Sequence, residues 1–176
     1  MSATSDYHDA LQAFEQLRAE NKLTIRVYEQ AQLPTLKALK EFINLGYCTG
    51  SGDEFFKIGP LKMLGDGSLG ARTAFLSKPY YDAPKTRGIP VFSREEIKMM
   101  FDYANRHEMQ IAIHAIGDGI LDWIFEGYEN ALKNYSREDP RHGIVHCQIT
   151  REDQLLKYQQ LHLHAYIPVS YTHLRA

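Results

Sequence analysis

Apolar positions along the chain follow two periods in turn, one of three to four residues and one of two. "SDYHDALQAFEQLRAENK" (5–22) places Leu11, Phe14 and Leu17 at three-residue steps among polar neighbours, which predicts an amphipathic helix capped by Ser5 or Asp6. "LTIRVYE" (23–29) alternates and is β-branched, the pattern of a strand. "LPTLKALKEFINLG" (33–46) has Pro34 near its start and Gly46 just past its end, the asymmetry of a helix. "FFKIGPLKML" (55–64) predicts a strand made irregular by Gly59-Pro60. A helix follows at 93–108, with Ser93 and Glu96 in a capping box, then a strand at 109–115. The pattern continues with a helix at 118–135 that tolerates Gly127 and a strand at 142–148. A helix at 150–161, opened by Thr150 and Asp153 in capping-box positions, and a strand at 163–168 complete it.

Between the second strand and the third helix, residues 65–92 hold three prolines and four glycines and show neither period. A connection of that length usually forms a lid or a binding loop. The order αβαβ-loop-αβαβαβ predicts an α/β fold, a parallel sheet with helical crossovers. The pattern fits an open doubly wound sheet or an arc of a (β/α)8 barrel, and five strands in 176 residues would make the barrel a partial one.

Composition changes this picture little. A formal charge of −2 and a pI near 6.4 supply no footprint for nucleic acid or an anionic membrane. No apolar run approaches the roughly 18 residues of a spanning helix. The first residues lack the basic and apolar regions of a secretory signal, so a soluble, cytoplasmic protein is expected. Cys48 and Cys147, with no CxxC motif, are expected as reduced thiols.

Three features carry candidate chemistry. "GDGSLG" (65–70) fits GxGxxG, but the residues after it lack a helical period, and no acidic residue ends a second strand about 20 positions on. A nucleotide-binding Rossmann-like domain is therefore the weaker alternative. "HLH" (162–164) has the spacing that turns both imidazoles to one side of a strand, yet it begins its strand, opposite the end where such sheets do chemistry. The third feature is the set of strand ends: Lys62, His114 in "IAIHAIGDGI" (111–120), and His146 in "GIVH". In a parallel sheet these ends share one mouth. Two neutral imidazoles with an oxygen ligand make a divalent-metal site, commonly zinc. An ammonium cannot ligate a cation, so Lys62 would have to be carbamylated; otherwise its stem packs and its charge reaches water.

"GPLKMLGDGSLGARTAFL" (59–76), "IAIHAIGDGILD" (111–122) and "RHGIVHCQ" (141–148), in that order, resemble the metal-dependent amidohydrolase superfamily, specifically the family 3 branch that includes N-substituted formamide deformylase-like proteins. "LTIRVYEQ" (23–30) is similar to that branch too, and the likeness spans roughly residues 5–168. The resemblance implies a distorted (β/α)8 barrel of which this chain supplies about strands 3 to 7. It implies hydrolysis of non-peptide, amide-type carbon–nitrogen bonds in a small-molecule substrate through water activated by one or two divalent ions. Lys62, His114 and His146 match the metal-holding positions, with Lys62 and Asp66 as catalytic residues. Ser68, Arg72 and Arg141 match positions bordering the substrate, and Asp118 is expected to cap the next helix. The family's first-strand HxH pair, eighth-strand aspartate and β-sandwich have no match in this chain. Residues 1–168 are accordingly expected to be the central part of a barrel and 169–176 a non-native tail. A second copy or the missing portion would complete the sheet, and a catalytically inactive fragment is the competing reading.

Overall fold

The computed structural model describes residues 2–168, so the tail at 169–176 lies outside the described residues. Six parallel strands form one sheet: β1 (Ser2–Asp6), β2 (Val27–Gln32), β3 (Phe56–Leu64), β4 (Ile111–Ala115), β5 (Gly143–His146) and β6 (His164–Tyr166). Successive strands are joined by α1 (Tyr7–Ala19), α2 (Leu36–Asn44), α3 (Arg94–Arg106), α4 (Asp118–Asn134) and α5 (Glu152–Gln160). Spatial order equals sequence order from β1 to β6. A doubly wound sheet reverses its order at a switch point, whereas barrel βα units add strands on one side only. The sequential order therefore decides for a partial barrel-type sheet.

One strand has no signature in the hydrophobic pattern. β1 reads "SATSD", with no apolar alternation, and is held by backbone pairing to β2 from Ser2↔Tyr28 to Asp6↔Gln32. Ser5 and Asp6 are thus strand residues, and α1 opens at Tyr7. The box predicted at Ser93 forms: Ser93 Oγ accepts the Glu96 N–H at 3.2 Å and Glu96 Oε2 accepts the Ser93 N–H at 2.8 Å. The start of α5 shifts by one residue. Gln154 Oε1 accepts the Arg151 N–H at 3.0 Å, while the Thr150 hydroxyl turns back to the Cys147 carbonyl.

The irregularity at Gly59-Pro60 is a β-bulge. Glu29 pairs with Ile58 and Ala31 with Leu61, so two steps along β2 face three along β3. Pro60 has no N–H to leave unpaired, and a Cβ on Gly59 would stand 2.7 Å from the Glu29 carbonyl oxygen. The extra residue inverts the alternation. Phe56 and Ile58 join the hydrophobic core before it and Leu61 and Met63 after it, which assigns Lys62 to the opposite, inner face. On β4, Ile111, Ile113 and Ala115 join the same core, and His114 takes the inner face with Ala112, the register partner of Lys62. Against the outer face α3 and α4 pack closely, with Phe101 and Tyr128 ring centroids 4.4 Å apart.

Candidate metal centre

β4 and β5 deliver His114 and His146 to neighbouring places at the same end of the sheet, and their ring centroids stand 4.6 Å apart, edge to face. The two arrive differently. His114 follows the ordinary alternation of β4. His146 would by alternation share the core side with Ile144, but its φ of +82° breaks the strand there, and Cys147 follows at +50°. Such backbone is uncommon for residues other than glycine and concentrates at functional positions.

Lys62 is 7% exposed, and no hydrogen bond or ion pair engages its amine among the described residues. Burial pushes its pKa down to about 8. Burial also lowers the pKa of His146, followed by its electrostatic interaction with His114 and Lys62, which ties all three to one neighbourhood. A neutral imidazole keeps a lone pair for a metal. His146 Nδ1 is buried without a hydrogen-bond partner, an orphan nitrogen of the kind that a cation would satisfy. Two histidines and a lysine are a fitting but incomplete donor set. No group of three or more His, Cys, Asp or Glu placed to hold a metal occurs among the described residues.

Asp66 takes a different place from a catalytic acid. Its side chain is fully enclosed and accepts three backbone N–H groups: Phe75 at 2.8 Å, Ile116 at 3.0 Å and Gly117 at 2.8 Å. Enclosure raises its pKa against the pull of those N–H donors. An oxygen pair so shielded cannot touch a substrate; it staples the start of the 65–92 connection to the turn after β4.

Ser68 and Arg72 lie exposed on that connection, beside the Gly67 that touches His114. The Arg72 guanidinium is forked onto Asp82 by Nε at 3.2 Å and Nη2 at 2.6 Å. Arg141 is not brought to the group. It precedes β5, at the opposite end of the strand from His146, and pairs with Asp139 at 3.0 Å. Asp118 does not cap α4; Gly117 holds the cap position. The Asp118 carboxylate instead accepts the N–H and hydroxyl of Ser77 and pairs with Arg151. "GDGSLG" runs on into turns rather than a helix, so the phosphate-binding architecture of the nucleotide reading is lacking. A cleft of about 300 Å³ opens beside the connection, with Leu69, Leu76, Pro79, Tyr81 and Ile149 on its walls.

The fold and these strand ends define a parallel α/β arc with a histidine pair at its mouth. The chain belongs to the amidohydrolase family, which matches residues 2–173. It is 31% identical over 150 residues to YtcJ of Bacillus subtilis (strain 168), whose name describes it as an amidohydrolase, covering 85% of this chain and 26% of YtcJ. LONG AFTER FAR-RED 3 of Arabidopsis thaliana is 33% identical over 110 residues, covering 62% of this chain and 19% of that protein. Crystal structures of two uncharacterized metal-dependent hydrolases share the fold. That of Pyrococcus horikoshii OT3 gives a TM-score of 0.80 at 34% identity, and that of Pyrococcus furiosus 0.77 at 32%. Each covers 94% of this chain, which spans 32% of either structure.

Proposed function

We propose that this chain carries part of the centre of a metal-dependent hydrolase acting on non-peptide, amide-type carbon–nitrogen bonds of small molecules. His114, His146 and Lys62 are its metal-holding residues. The observation that carries the reading is the histidine pair at adjacent strand ends, 4.6 Å apart, with a buried and unpartnered His146 Nδ1. Family membership and similarity to metal-dependent hydrolases support it. A divalent ion, with zinc the proposed one, supplies Lewis acidity when bound: it polarises a carbonyl and acidifies water.

The chain's own residues prepare that chemistry. Burial favours the neutral amine of Lys62, which can add to carbon dioxide; the new N–C bond forms a carbamate and one proton leaves. The carbamate offers oxygen ligands where the ammonium offered none. Ser68 and Arg72 border the mouth, and the cleft walled by Leu69, Tyr81 and Ile149 receives the body of the substrate. Arg141 has no part in this arrangement. Two free thiols suit a reducing compartment, the cytoplasm.

Zinc retention tests the reading. The purified chain, incubated with zinc and desalted, is expected to keep bound metal, and His114→Ala or His146→Ala to weaken retention by at least about tenfold. Zinc content unchanged in both variants would overturn it. Retention without hydrolysis of a panel of small amides would favour the inactive-fragment reading.

A further inference from the structure

We infer that Asp66 and Gly67 form a positioning device that fixes which nitrogen of His114 faces the metal. The inference rests on the reading of His114 as a metal-holding residue. His114 Nε2 lies 2.9 Å from the Gly67 carbonyl oxygen. A carbonyl oxygen only accepts, so Nε2 carries the proton and the lone pair belongs to Nδ1. Asp66 Oδ1 stands 3.5 Å from the same Nε2, a negative charge on the side where the N–H must stay. Nδ1 is thereby assigned to the ion.

The carbonyl is held from several directions. Ahead of it, the Gly65 N–H donates to the His114 carbonyl at 2.8 Å and the Gly67 N–H to the Thr73 carbonyl at 3.3 Å. In the carbonyl's own peptide, the Ser68 N–H donates to Thr73 Oγ1 at 3.0 Å. Asp66, between Gly65 and Gly67, fastens this turn to Phe75 in the long connection and to Ile116 and Gly117 behind β4. A shift of the connection would therefore move the Gly67 carbonyl and with it the imidazole. Asp66 acts through His114 and touches no substrate, which makes it a positioning residue. Such outer partners of a ligating histidine raise its basicity and fix its ring. The same contacts explain why the 65–92 connection begins with an invested, enclosed carboxylate.

The tautomer can be read without metal, from the long-range proton–nitrogen NMR spectrum of the nitrogen-15-labelled whole chain. Wild type is expected to show His114 protonated at Nε2. Two variants disturb the device independently. Asp66→Asn replaces an acceptor oxygen by an NH2 donor facing N–H groups. Gly67→Ala leaves the carboxylate in place but sets a Cβ about 2.0 Å from Thr73 Oγ1, which must displace the Gly67 peptide. Gly67→Ala is expected to give a mixture of His114 tautomers and to raise the zinc dissociation constant about tenfold, with the His142 signals unmoved as evidence of an intact fold. Asp66→Asn is expected to act in the same direction and more strongly. A wild-type His114 protonated at Nδ1, or an unchanged tautomer in Gly67→Ala, would overturn the inference. A wild-type chain protonated at Nε2 that binds no zinc would overturn the metal reading alone.

Discussion

His142 shows what a histidine of this fold does when it is structural. Its ring is fully buried: Nδ1 accepts the Ile111 N–H at 3.1 Å, Nε2–H donates to Asn105 Oδ1 at 3.1 Å, and the ring stacks on Tyr128. Asn105 in turn donates to the carbonyls of Ala131 and Tyr135 in and after α4. Burial, then the charge of Arg137, pushes the His142 pKa down to about 3, against about 6.5 in an unfolded chain. Between those values the unfolded chain takes up a proton that the folded one refuses. The contribution to stability is thus complete above about pH 6.5 and is lost as pH falls toward 3. His142→Phe would leave the Ile111 N–H and the Asn105 carbonyl buried without partners, an expected cost of about 2–4 kcal/mol. Urea unfolding at about pH 7 and about pH 5 should show a less stable variant whose stability also drops less between the two. Nothing in the local pattern separates His142 from His146; only the first has both ring nitrogens partnered, and spacing does not encode partners.

At the level of elements, legibility followed the strength of local patterning. α3 could be read to its first residue because its cap and its apolar stripe agree. β1 could not be, because an edge strand without an apolar face depends on backbone pairing that any side chains permit. The site was legible as three strand ends, but not their aim: Lys62 reaches the inner face through one extra residue in β3, and His146 through a φ of +82°. The helical pattern merely tolerates Gly127 within α4, whereas packing requires it: a Cβ there would meet Ile97 Cγ2 at 2.8 Å and Phe101 Cδ2 at 3.0 Å. Both side chains are fully buried and have no room to retreat. Gly127→Ala gains about 1 kcal/mol of helix propensity and incurs about 1–3 kcal/mol of overpacking. The expected outcome is a net loss of stability, read as a lower melting temperature with helical circular dichroism unchanged.

For the molecule as a whole, the sheet ends on β1 and β6, each paired on one side only among the described residues. An open edge is a template for another strand, and Tyr166 and Ile167 near the β6 edge are about half exposed. Sedimentation velocity is expected to give a weight-average coefficient that rises with protein concentration. Ile167→Lys should flatten that rise, since a charge at an edge opposes pairing. A rise of equal slope in the variant would move the contact away from β6.

The sequential strand order also bears on synthesis. Because each strand joins only those made just before and just after it, a nascent chain leaving the ribosome can lay down one βα unit upon the last, without waiting for a distant partner to emerge. Lys62, His114 and His146 would then reach the mouth one after another, so the pair of imidazoles comes into being only when β5 docks.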